Sequence, residues 1–266
     1  MLDRVVPEHV PVGLEHVEVE CVATEAGDLW IPTCDEVMRD HMRNAGCWEP
    51  EVGRALLGAM PDGPGAVFVD IGANIGYFSL LLANAFPKAT IHAFEPNPVT
   101  YRVLRLNAWR LADRIRTWPL ALSDSRGIVA LTTSAHNLGD TKSVHVTNNM
   151  VANSIAPSIS LDDLVEVARA DLVKIDVQGS ELSVLSGMKR LIAASPRIRI
   201  VMEFAPGFLK SNGVDPLGVL TELRTTGFSI HLIGRDMLFL ASDAEVIQYC
   251  QSTGTSGQAN LLLSRQ

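Results

Sequence analysis

The chain has 266 residues, 47% of them apolar and 20% charged, with 22 Lys and Arg against 30 Asp and Glu for a formal net charge of −8. That composition supplies ample core material and argues against disorder. A pI near 5.3 without any Lys/Arg-dense run argues against a nucleic-acid binder. The acid surplus is confined to the start: residues 1–64 hold 13 acids and 4 bases, whereas residues 65–266 hold 17 acids and 18 bases. Because the early acids are interleaved with Val, Leu, Trp and Ile, we read 1–64 as a folded N-terminal hairpin and helical cap on a larger domain, 65–266.

In chain order, Val17 to Pro32 reads as a hairpin around Gly27, with an edge free for a homo-oligomer contact. Residues 35 to 60 read as helical segments broken near Gly46 and Pro50. From residue 66, short β-rich runs alternate with helical patterns, the signature of a parallel sheet wound with helices. Ala66–Ile71 is predicted as a buried strand, followed by a helix through Phe78, Leu81, Leu82 and Ala85. Thr90–Glu95 is a second strand and Pro98–Leu111 a helix, Pro98 being allowed in a first turn. Ile115–Leu122 is a third strand, hairpinned to Ile128–Ser134 across Asp124–Gly127, and 135–159 reads as a long polar loop. A short helix over Leu161–Ala168 leads to strands Asp171–Val177 and Ile198–Phe204, joined by a helix from Ser180 to Ala194 with an apolar stripe. Pro216–Thr226 is a helix, and Phe228–Gly234, Met237–Ala241 and Leu261–Leu263 are terminal strands.

Met1–Glu8 lacks the apolar stretch of a signal peptide, and the longest apolar run, Ile75–Phe86, is interrupted by Asn84 and too short to span a bilayer. Cys21, Cys34, Cys47 and Cys250 form no C-x-x-C pair and read as free thiols. Together these features predict a cytoplasmic protein without a membrane partner.

The segment Val67-Phe68-Val69-Asp70-Ile71-Gly72-Ala73-Asn74-Ile75-Gly76 sets a strand, a glycine turn and a helix start in the order of a nucleotide-binding βα unit. Glu95 ends the next strand, 23 residues after Gly72, near the spacing of a ribose-binding acid. Asn74 stands where a dinucleotide fold has its second glycine, and its side chain would crowd a pyrophosphate. S-adenosylmethionine has no phosphate; helix-start N–H groups suit its carboxylate, and an acid such as Asp70 suits its cationic parts.

D-I-G-A-N-I-G, F-E-P-N-P, S-L-D-D-L, K-I-D-V-Q-G-S-E and V-M-E-F, in this order between about residues 67 and 204, resemble the FkbM family of S-adenosylmethionine-dependent methyltransferases. The resemblance implies an α/β class I methyltransferase (Rossmann-like) fold, a seven-stranded sheet with its last strand antiparallel. It also implies methyl transfer to a hydroxyl of a sugar or natural product. By the same resemblance Gly72, Asn74 and Gly76 line the methionine moiety, Glu95 holds the ribose, and Asn97, Ser123 and Asp124 approach the adenine. Gln178 stands where the family usually carries Glu.

An aliphatic hydroxyl needs a general base or a metal to become nucleophilic. Ligands in open α/β sheets lie beyond the carboxyl ends of the strands, so Asp176 and Glu203 are the first candidates. Lys174 shares a face with Asp176 and needs a counter-charge, so a purely structural ion pair of Lys174 with Asp176 or Glu203 is the plain alternative. A divalent metal on Asp176 and Glu203 lacks an evident third ligand. His136 and His145 of the polar loop are alternative bases; His231 reads as a core residue in a strand. Trp48, near His41 and Glu49, serves either as part of a lid over the cofactor or as a packing anchor. The arginines Arg102, Arg105, Arg110, Arg114 and Arg116 read as a solvated face. The expectation is an O-methyltransferase acting on a small hydroxylated acceptor. An NAD(P)-dependent oxidoreductase on a similar sheet and a non-catalytic cofactor-binding scaffold are the competing readings. The acidic cap is expected to border the acceptor entrance and to disfavour anionic acceptors.

Overall fold

The computed structural model describes residues 17–133, 138, 141–145, 154–211, 213–235, 238–253 and 257–265, with only the backbone of 142–145. The hairpin expected near Gly27 is β1 (Val19–Thr24) and β2 (Gly27–Pro32). Helices α1 (Glu36–Ala45) and α2 (Pro50–Ala59) follow, split where Gly46 turns left-handed and closes on the Met42 carbonyl. Asp35 caps α1, its Oδ1 accepting from the Met38 N–H at 3.0 Å.

Next come β3 (Val67–Ile71), α3 (Tyr77–Ala85), β4 (Thr90–Phe94), α4 (Pro98–Ala108) and β5 (Ile115–Trp118). The parallel strands β3 and β4 are buried at nearly every position, as strands covered on both faces must be. Val22, Leu29, Met42 and Leu56 of the first segment share one apolar cluster with Leu81 and Leu104 of α3 and α4. Complete burial of each such side chain is worth roughly 1.5–3 kcal/mol.

The third strand does not continue to residue 122 as predicted. Pro119 has no N–H for the ladder, so pairing in the main sheet stops at Trp118. The chain then leaves to form β6 (Ala121–Leu122) in a separate sheet. That sheet also contains β7 (Gly127–Thr132), β8 (Lys142–His145) and β9 (Ser154–Ile159), in the order β6-β9-β7-β8. The predicted hairpin between the third strand and 128–134 is therefore absent: β7 pairs with β8 and β9 instead. Part of the stretch read as loop, 135–159, is strand. β8 is the next strand along the chain, but β9 lies well beyond it, where local pattern carries no signal.

The helix predicted at 161–168 is a single 3-10 turn, Leu161–Asp163. Its polar groups are engaged elsewhere: Ser160 Oγ donates to the Gly187 carbonyl at 2.8 Å, and the Asp162 carboxylate accepts from the N–H groups of Arg190 and Leu191. After β10 (Leu172–Ile175), the predicted long helix is two, α5 (Glu181–Ser186) and α6 (Lys189–Ala194). The break is at Gly187, where an added Cβ would lie 1.9 Å from the Ser123 carbonyl oxygen. The chain closes with β11 (Arg199–Phe204), α7 (Pro206–Ser211), α8 (Pro216–Thr225), β12 (Ser229–Ile233), β13 (Leu238–Leu240), α9 (Asp243–Ser252) and β14 (Ala259–Ser264). Helices α7 and α9 have no counterpart among the predicted elements.

The main sheet has the order β13-β12-β14-β11-β10-β3-β4-β5. Strand β14 runs antiparallel to both neighbours, β11 and β12. The seven strands of a class I methyltransferase sheet are thus present, last strand antiparallel, with β13 added as an eighth at the edge through a hairpin with β12. The carboxyl ends of β3, β4, β10 and β11 therefore open on the same side of the sheet, around the reversal in strand order.

Candidate active site

A cavity of about 310 Å³ lies at those strand ends. Gly72 and Asn74 after β3, Glu95 after β4, Asp176 to Gln178 after β10 and Glu203 in β11 all line it. Met38, Trp48 and Glu49 of the first segment close one side, and Leu120, Ala121, Leu122, Leu131 and Leu138 form an apolar wall.

The glycine turn is built by tight packing of two strand ends. Gly72 has φ +75°, and a Cβ there would meet the Asp176 carbonyl oxygen at 1.9 Å, so only glycine lets β3 and β10 close. The N–H groups of Gly72 and Ala73 both donate to the Phe94 carbonyl. Glu95 is buried, and its two oxygens accept from the N–H groups of Asn74 and Asn97, each at 2.8 Å. Burial pushes its carboxyl up to about 7 despite those bonds. The Asn74 Oδ1 is buried with no partner among the described residues, a polar atom on the cavity wall that a ligand donor would satisfy.

Three non-glycine residues have positive φ among the described residues: Glu49 at 41°, Asn74 at 50° and Gln178 at 52°. All three line this cavity. Such conformations cost of order 1–3 kcal/mol each and persist where the surroundings over-determine them.

At the far end, Lys174 Nζ lies 3.0 Å from Asp176 Oδ2 and 5.1 Å over the Phe78 ring. Burial alone would pull the lysine down, but Asp176, Asp70 and Glu49 together hold it above its ordinary range. Of the two ion pairs considered for Lys174, the one with Asp176 is present. Gln178 Nε2 donates to both Asp176 Oδ1 (3.2 Å) and Glu203 Oε2 (3.1 Å), and Gln258 donates to Glu203 Oε1. Burial, then the charges of Asp176 and Glu181, push the Glu203 carboxyl up. Among the described residues no group of three His, Cys, Asp or Glu is disposed to hold a metal.

The structure gathers Trp48, Gly72, Asn74, Glu95, Asp176 and Glu203 on one cavity and leaves other expected residues behind its walls. Asp70 is fully buried, its Oδ2 accepting from Ser79 Oγ at 2.6 Å, and it does not line the cavity. Gly76 and Asn97 instead cap α3 and α4. Asp124 turns its N–H to Ser183 on α5, and Ser123 shares that hydroxyl. The preceding Leu120 to Leu122 take the place on the wall expected for those two. His231 sits in β12 opposite Leu240 and Leu262, away from the cavity. His136 lies outside the described residues, and His145 is described only by its backbone in β8. Arg114 departs from the solvated face, donating to the Ala83 carbonyl at 2.6 Å.

Of the segment around His41, Trp48 and Glu49 expected to close over the cofactor, Trp48 and Glu49 line the cavity and His41 does not, while Gln258 and Asp35 have no role in the sequence reading. Asp35 is buried and ties two walls together, accepting from Met38 N and, through Oδ2, from Leu138 N at 3.1 Å. An acid preceding a helix is the usual cap signal, which hides this second, long-range bond.

Comparison with known proteins gives a consistent result. The profile of the Methyltransferase FkbM domain matches residues 70–230. The 31-O-demethyl-FK506 methyltransferase FkbM of Streptomyces tacrolimicus is 30% identical over 227 residues, spanning 72% of this chain and 83% of the relative. The hexuronic acid methyltransferase AglP of Haloferax volcanii is 35% identical over 125 residues, 46% of this chain and 49% of the relative. A geranyl diphosphate methyltransferase solved with S-adenosylmethionine aligns over 82% of this chain and 86% of its own, at 12% identity and a TM-score of 0.45. The chain belongs to the FkbM family of S-adenosylmethionine-dependent methyltransferases.

Proposed function

We propose that the chain methylates a hydroxyl of a small natural product or sugar that is neutral or cationic, with Glu203 as general base and Asp176 positioning the acceptor. The observation that carries this reading is Glu203: a buried carboxylate at the strand end, clamped by two glutamine amides and lining the cavity. The fit of the cofactor rests on the unpartnered Asn74 Oδ1 and on the acids that line the cavity with it. When bound, S-adenosylmethionine would supply an electrophilic sulfonium methyl with the thioether as leaving group, and Glu203 would take the proton of the acceptor hydroxyl. Burial and the charges of Asp176 and Glu181 outweigh Lys174 and favour the protonated form of Glu203; a cationic ligand would favour the ionised, basic form. The Lys174–Asp176 pair fixes the second carboxylate, and Gln178 spaces it from Glu203. We assign the described part of the first segment, 17–64, as a cap over this cavity, contributing Met38, Trp48 and Glu49 to its wall.

FkbM of Streptomyces tacrolimicus carries an O-methylation in its name, which supports a hydroxyl acceptor, and AglP carries a hexuronic acid in its name, which supports a sugar but not the neutral charge proposed here. Asp176 and Glu203 line the cavity with no Lys or Arg among its described lining residues, which argues for a neutral or cationic acceptor rather than an acidic one. Labelled methyl transfer to matched neutral and phosphorylated acceptors tests this. Glu203→Gln should lower turnover by about 10²–10⁴ while S-adenosylhomocysteine affinity changes little. Full turnover by that variant, or equal use of phosphorylated acceptors, would overturn the reading.

A further inference from the structure

Four acids line the cavity among the described residues: Glu49, Glu95, Asp176 and Glu203. Three have donors from the protein. Glu95 takes two backbone N–H groups, Asp176 takes Lys174 and Gln178, and Glu203 takes Gln178 and Gln258. Glu49 is the exception: its carboxylate makes no hydrogen bond or ion pair to any described residue.

Local structure makes this unusual. Glu49 occupies the N-cap position of α2, where an acid ordinarily accepts from the first-turn N–H groups, yet its side chain makes no capping bond. It also holds a left-handed φ of 41° immediately before Pro50, a position that proline biases towards extended backbone. The residue is half-buried and lines the cavity, and burial followed by the charge of Asp176 pushes its carboxyl up. Lys174 alone opposes that shift, and Lys174 is hydrogen-bonded to Asp176. A cavity-lining acid with no donor of its own is completed by a ligand that brings a positively charged donor.

The cofactor of this family carries such a group on its methionine end, and Glu49 shares the cavity with Gly72 and Asn74, the residues expected to hold that end. We propose that Glu49 binds the α-ammonium of S-adenosylmethionine, so that the cap segment, and not only the sheet, reads the amino-acid end of the cofactor. The inference rests on the cofactor and is independent of the acceptor and base proposed above.

Isothermal titration of the full chain with S-adenosylhomocysteine and with its analogue lacking the α-amino group isolates the contact. The wild type should prefer S-adenosylhomocysteine by about tenfold or more, the usual strength of a hydrogen bond to a charged group. Glu49→Gln should bring that preference to about twofold while leaving affinity for the deaminated analogue near the wild-type value. An equal preference in variant and wild type would overturn the assignment. So would a wild type that binds both ligands equally, a measurement that needs no variant to fold. Binding of 5′-methylthioadenosine, which lacks the amino-acid end, should be the same in both proteins; loss of that binding in the variant would show a general collapse of the cavity and count against a specific contact.

Discussion

Gly72→Ala tests whether the cofactor turn depends on direct backbone contact between two strands. The alanine Cβ would be placed 1.9 Å from the Asp176 carbonyl oxygen and 2.9 Å from its carbon, both backbone atoms. A relaxed C···O contact is about 3.3–3.6 Å, so β3 and β10 would have to part by more than 1 Å at their ends. Keeping φ +75° costs an L-residue roughly 1–2 kcal/mol, and forced overpacking typically adds about 1–3 kcal/mol. The expected loss is about 2–5 kcal/mol, a large share of the 5–15 kcal/mol of an ordinary domain. Denaturant unfolding of the ligand-free protein measures it, with Gly58→Ala as a control, since nothing lies within 4 Å of a Cβ there. Titration with S-adenosylhomocysteine should show binding lost in Gly72→Ala and kept in the control. A Gly72→Ala protein that loses less than about 1 kcal/mol and binds normally would refute the argument.

Two buried groups give opposite pH signatures in the ligand-free protein. Glu95, raised to about 7 by burial, favours the fold when protonated. Its contribution is complete below about 4.5 and is lost as pH rises through 7, by up to roughly 3 kcal/mol. Glu95→Gln should flatten that decline in unfolding experiments from pH 4.5 to 7.5; an unchanged slope would exclude Glu95 as its source. His92, stacked beside Trp118 and accepting from its indole N–H, is lowered to about 4 by burial, then by Arg116. Its contribution is complete above about 6.5 and is lost as pH falls through 4. His92→Phe should remove this acid-side loss, and equal acid sensitivity in both proteins would contradict the assignment.

The strand, turn and helix around Gly72 were legible because every local signal agrees there: apolar strand, glycine at positive φ, helix start. The acids at the strand ends were legible for the same reason, since strand order fixes where they point. What stayed hidden depends on partners distant in sequence. The split between α5 and α6 follows from Gly187 backing onto Ser123, and the small sheet follows from β7 meeting β9. Helix α9 is a different case. Ser242 and Glu245 form a complete capping box, a signal written in the local sequence, but only Val246 and Cys250 of the helix are buried and its apolar pattern is weak. Glu49 carries no sequence mark of a ligand group, since a carboxylate before a proline-started helix has the pattern of an ordinary cap.

The left-handed conformations at Glu49, Asn74 and Gln178 set a limit on how this protein can be improved. A screen for thermal resistance would readily select glycine at these positions, because glycine relieves the backbone cost at once. Each such gain would remove a side chain from the cavity wall and loosen the turn that presented it. Heat tolerance and methyl transfer are thus set against each other at three places contributed by three separate segments, and variants of higher melting temperature should first be examined there for lost activity.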